Sequence, residues 1–183
     1  MRPNTLPIAM LAITFFIVSN ASAQQTNSNA PVIKEADGFT IIPHVAVPPD
    51  KKKIYKAIYD ATKAAKEPTE LVPALNMAGS ELNGLAVSNI PLSNAKFVIV
   101  FHGAAINGIL NDADYKTKFG VSNPNLPVLS KLKKAGVKIF VCGQNLLGEN
   151  IDFKRISKDV TVASDALIVL MTYQNEGYAL MSF

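Results

Sequence analysis

Cys142 is the single cysteine of a 183-residue chain, and the residues around it decide what its sulfur can do. It closes the run VKIFVC and is followed by Gly143 and Gln144. The β-branched and aromatic residues Val137, Ile139, Phe140 and Val141 predict a short buried parallel strand, so Cys142 falls where that strand stops. In open α/β sheets, ligands and chemistry gather in the crevice beyond the carboxyl ends of the strands. If Gly143 to Leu147 turns into a short helix, its N–H groups and positive dipole end favour a thiolate, the usual route to a reactive sulfur. The competing reading is that a lone cysteine is a small buried hydrophobe.

His102 is the second residue with chemistry to offer. It follows the apolar run Phe97 to Phe101 as Cys142 follows its own run, and residues 124 to 135 read as the crossover helix between the two strands. A right-handed crossover with short joints puts such strands side by side, about 4.8 Å apart, so His102 and Cys142 are expected to share one site. There an imidazole could stabilise a thiolate as imidazolium or move a proton during transfer. Alternatively, His102 only hydrogen-bonds the loop of residues 104 to 122. Gly103, Asn107, Gly143 and Gln144 are expected to form the pocket wall or a helix N-terminus, with residues 107 to 115 more mobile than the sheet.

Other chemistries lack their residues. Two histidines and one cysteine cannot close a zinc site, and neither H-E-x-x-H nor C-x-x-C occurs, so no metal and no cofactor are expected. G-x-S-x-G, G-x-x-x-x-G-K-[ST] and a strand-borne G-x-G-x-x-G are missing too. A dithiol oxidoreductase would need a second cysteine. The net charge of +4 is small, and Lys51 to Lys53 and Lys131, Lys133 and Lys134 read as solvated faces. A nucleic-acid partner would call for a larger basic patch with stacking aromatics.

The elements that must position Cys142 and His102 begin after two preliminary stretches. Residues 1–23 read as a secretory signal: Arg2, an apolar stretch from Leu6 to Val18, and Ala21-Ser22-Ala23 before Gln24. The apolar stretch is short for a membrane span, so an exported protein is expected, periplasmic or secreted, with no membrane attachment after cleavage. In an oxidising compartment Cys142 has no internal disulfide partner. Residues 24–50 read as an arm, mobile to about Asp37, followed by an apolar edge segment broken by Pro43, Pro48 and Pro49. Residues 51–183 form the domain. Residues 53–60 fit strand or helix equally; a helix carries Leu71 to Leu85 with Thr69 as N-cap; another starts at Asn123 and Pro124 and stops at Gly136. A brief strand at 160–162, a helix capped by Ser164 with Leu167, Leu170 and Met171 inward, and a last strand at 178–183 complete the chain. This alternation predicts an α/β fold, a three-layer α/β/α sandwich with a mainly parallel sheet of about five strands.

Three stretches, FVIVFHG, NPNLPVLSKLKKAGVKIFVCGQ and ASDALIVLMTYQNEGYALMSF, together resemble the DsrE/DsrF-like family over about Lys53 to Phe183. The most specific part is V-C-G-Q after a helix ending A-G-V-K, joined to the terminal Q-x-E-G-Y-A-L. The resemblance implies a DsrE-like fold, a homo-oligomer, and a single cysteine that accepts and passes on sulfur as a persulfide, which maps onto Cys142. A sulfur donor or acceptor protein, or a small thiol, would then be its partner. The chain departs from the sulfur-relay members in its signal and its N-terminal arm. The alternative is a non-catalytic module on the same fold that binds a small ligand or a partner.

Overall fold

The computed structural model describes residues 29–182, so the signal expected over residues 1–23 and the first residues of the expected arm lie outside the described residues. Five parallel strands form one sheet: β1 (Tyr55–Ala61), β2 (Ala95–Phe101), β3 (Lys138–Cys142), β4 (Thr161–Ala163) and β5 (Ala179–Ser182), in the order β4-β3-β2-β1-β5. The helices are α1 (Pro73–Val87), α2 (Asp112–Phe119), α3 (Asn125–Lys134), α4 (Gly143–Gly148) and α5 (Ala166–Asn175). The chain lays down β1 to β4 in one direction, and right-handed crossovers then put α1, α3 and α4 on one face, the front. The last connection runs back across the sheet to β5, which carries α5 to the other face, the back, against β1, β2 and β3.

Strand alternation sorts the core into two clusters. Tyr59, Ile99, Phe101, Ile139 and Val141 point forward and meet Leu75, Leu82, Leu129, Leu132 and Leu146, all five of them fully buried. Ile58, Val98, Val100 and Cys142 point backward and meet Ala166, Val169, Leu170 and Tyr173 of α5. Residues 53–60, undecided by periodicity, become a strand because both edges of β1 are used, by β2 on one side and β5 on the other.

Helix starts differ in detail from expectation. Thr69 does not cap α1; Pro73 takes its first position behind Val72, whose N–H donates to Asn125 Oδ1 at 2.9 Å. α3 begins at Asn125, one residue later than expected, with Pro124 at its N-cap position; Asn123 just before it accepts from the Asn125 N–H through Oδ1 at 2.9 Å. At α5 the cap is Asp165 and not Ser164, with Oδ1 accepting from Leu167 and Ile168 N–H. The inward residues there are Ala166, Val169, Leu170 and Tyr173, while Leu167 and Met171 are exposed. This helix is apolar all round, so its pattern cannot select an inner face.

Two stretches expected to be mobile are packed. Residues 103–109 form a 3₁₀ helix and α2 follows, capped by Asn111 through the Asp114 N–H and closed by Gly120 at φ 78°. Ala105, Ile106, Ile109, Leu110 and Tyr115 enter the front core. The described part of the arm, residues 29–37, is docked on α1: Ile33 is fully buried, and Asn83 binds Val32 N, Ile33 N, Ile33 O and Asp37 O. Gly79 permits this contact, since a Cβ there would stand 2.5 Å from Ala36 Cβ. The edge segment forms no strand over residues 40–49, and Ile41, Ile42 and Val47 are exposed.

Candidate functional site at the back of the sheet

The extended conformation of β2 continues into His102, with φ −154° and ψ −179°, and its N–H donates to Ala61 O at 3.0 Å. Its side chain therefore keeps the alternation and faces backward with Val98 and Val100. Phe101 pairs with Val141 in register, so the next residues, His102 and Cys142, end neighbouring strands side by side on that face. Asp60, two residues beyond the back-facing Ile58 and paired with Val100, falls on the same face. Asp165 arrives from the far side, after β4, as the cap of α5. Asp60, His102, Cys142 and Asp165 thus make a row across the carboxyl end of four adjacent strands.

The row consists of two polar pairs. His102 Nε2 donates to Asp60 Oδ1 at 2.6 Å, with the side chains 25% and 19% exposed. That contact fixes which ring nitrogen is engaged and leaves Nδ1 as the nitrogen available for proton movement. The Cys142 thiol donates to Asp165 Oδ2 at 3.9 Å, and the residue is 5% exposed. Among the described residues no hydrogen bond joins the His102 ring to the thiol, although their positions are adjacent. The short helix expected after Cys142 is present as α4. Cys142 occupies its N-cap position without a side-chain cap bond, and the thiol turns to the back while Leu146 of α4 sits in the front core.

The other expected residues divide between this site and elsewhere. Gly103 has φ +55°, a conformation that favours glycine, and its N–H donates to Asn145 Oδ1, which ties the exit of β2 to α4. Gly143 is required by close approach, because a Cβ there would lie 2.7 Å from Ala163 O. Gln144 is exposed on α4. Asn107 stands apart: its side chain bonds Ala104 O and Lys118 Nζ, and it lines a front cavity of about 130 Å³ with Val72, Tyr115 and Asn125. The residues missed by sequence reasoning are Asp60 and Asp165. Asp60 was detectable as the one acidic residue inside KAIYDA, and Asp165 as a cap as good as Ser164 beside it.

Among the described residues no group of three or more His, Cys, Asp and Glu is placed to hold a metal ion, and no helix is long and apolar enough to cross a membrane. No curated protein matches the chain. Among solved structures, a protein of unknown function, MTH1491 from Methanobacterium thermoautotrophicum, is 18% identical with a TM-score of 0.52, over 70% of this chain and 99% of that one. The ychN protein from E. coli is 17% identical with a TM-score of 0.49, again over 70% of this chain and 99% of the other. The first likeness supports the fold, a five-stranded parallel α/β sheet with helices on both faces. A family model described as DsrE/DsrF-like matches residues 52–183, most of the chain and all five strands, and the protein belongs to that family.

Proposed function

We propose that the protein accepts and passes on sulfur through Cys142. The observation that carries this reading is the row on the back face, where Cys142 stands beside His102 in register and a carboxylate accompanies each. The step is a transfer without net oxidation. The Cys142 sulfur bonds to the outer sulfur of a donor persulfide, the donor's S–S bond breaks, and the donor leaves as a thiol with the proton that Cys142 gives up. Asp165 Oδ2 is the acceptor nearest the thiol proton, and His102, its Nε2–H held by Asp60, has Nδ1 free to take that same proton and return it to the departing sulfur. The reverse step passes the sulfur to a protein thiol or a small one.

Two further parts of the reading rest on other observations. Residues 1–23 support export to a periplasmic or extracellular compartment. The exposed Leu167, Ile168 and Met171 on α5, with Leu180 of the edge strand β5, support a homo-oligomer, since a helix apolar on every side is normally covered on every side.

Intact-mass measurement after polysulfide exposure tests the transfer. One added sulfur, released by dithiothreitol and missing from Cys142→Ser, is the expected result. His102→Ala is expected to slow alkylation of Cys142 several-fold near neutral pH with the fold intact. The low exposure of Cys142 favours a second reading, a non-catalytic module binding a small ligand or a partner. A native protein that takes up no sulfur and resists a maleimide would select it.

A further inference from the structure

On the front face α1 and α3 cover β1, β2 and β3, but β5 was added by a crossover on the back and has no helix above it. The result is a trough of about 640 Å³, within the range of small-molecule sites. Its floor is Ala57 and Ala179, small residues paired in register. Met77 and Glu81 of α1 form one wall and Ile54 part of the other.

The charges here are unbalanced. Glu81 has no ion pair among the described residues. Its side chain is exposed along the trough yet partly desolvated by the walls, which pushes the carboxyl above its ordinary value. The carboxylate is near enough to the floor to contribute, after burial, to raising the Tyr59 hydroxyl. Lys56 does not offset it, because that side chain lies on the back, donating to Glu176 O at 2.9 Å and sitting 5.5 Å from the Tyr178 ring centre. Lys53 and Asp50 both line the trough, one charge of each sign, and no ion pair among the described residues joins Lys53 to Glu81.

We propose that this trough binds a small organic cation, a molecule with an apolar body and one protonated amine. The amine meets Glu81, and the body lies along Met77 and Ile54 over the two alanines. A neutral ligand would leave the partly desolvated carboxylate without a partner, and an anion would be repelled by it. This site is on the opposite face of the sheet from Cys142, so its occupancy and the sulfur chemistry are separately testable.

The experiment is calorimetric titration of the protein with 4-phenylbutylamine, 4-phenylbutanol and 4-phenylbutyrate, with methyl NMR spectra of Met77 and Met181 to locate the binding. The amine is expected to bind about tenfold tighter than the alcohol, the advantage of a hydrogen bond to a charged group, and the carboxylate weakest. Glu81→Gln should bring the amine to the level of the alcohol and leave the alcohol unchanged, with both methionine methyls shifted by ligand in either protein. Equal binding of all three probes, no binding, an amine preference that survives Glu81→Gln, or shifts confined to methyls outside the trough would each overturn the proposal. Alkylation of Cys142 should be the same in wild type and Glu81→Gln.

Discussion

The two faces of the sheet are built to different standards. The front is covered by α1 and α3 with the docked arm beyond them, and it contains most of the largest fully buried side chains, among them Leu75, Leu82, Leu129 and Leu132. The back is covered by one ten-residue helix, whose outer residues Leu167, Ile168 and Met171 stay exposed. The polar pairs His102–Asp60 and Cys142–Asp165 are both on the thin side. A thick front can hold the strand ends rigidly while the thin back leaves their polar side chains under a single helix, which is how rigid scaffolds present sites.

The largest effect should come from the outer surface of α5. Leu167→Lys with Met171→Lys is expected to reduce the particle in light scattering from a multiple of the protomer mass to a single protomer; a wild-type protein already of protomer mass would break the link between the thin face and assembly. Matched truncations measure the contrast in packing. Leu82→Ala on the front should cost about 2–5 kcal/mol in urea unfolding, and Leu170→Ala, next to an incompletely covered face, clearly less. Equal losses would mean that the back is as well packed as the front.

A smaller effect is expected at Asn83. Its replacement by alanine leaves buried backbone groups of Val32 and Ile33 without partners, a loss of about 1–3 kcal/mol, seen also as faster hydrogen exchange at those two amides. Unchanged exchange would show that Ile33 burial alone holds the arm. The smallest effect concerns Glu35, whose carboxyl is held below its ordinary value of 4.5 chiefly by the hydrogen bond from Lys131 of α3. A depressed carboxyl stabilises the fold above its unfolded value and loses that contribution as pH falls through the folded one. Lys131→Ala should therefore be about 0.2–1 kcal/mol less stable near neutral pH, an exposed pair being worth no more, with the difference fading in acid. A difference that persists in acid would assign the effect to packing of the lysine stem.

Much of the frame was legible because the strands β2 and β3 are continuous apolar runs with glycine or polar stops, and the helix before β3 is announced by Asn123 and Pro124 and ended by Gly136. The register that sets His102 beside Cys142 follows from a single crossover over residues 102–137, in which α3 leads almost directly into β3 while the 3₁₀ helix and α2 fill the longer joint after β2. Asp60 was less visible, since its role depends on a strand forty residues earlier pairing with β2. The docking of residues 29–37 is not legible in the sequence, because a single buried Ile33 and the amide of Asn83 hold the segment, and neither has a periodic signature.

What the sequence determined by itself was therefore local or nearest-neighbour: strand and helix order, the crossover that joins His102 to Cys142, and the lone thiol at a strand end. Tertiary structure alone decided which side of α5 turns inward, which carboxylate meets His102 and which meets Cys142, and that the thiol packs with the back helix. Periodicity reports only the contrast between a segment's own faces, whereas these choices depend on which distant segments arrive opposite them.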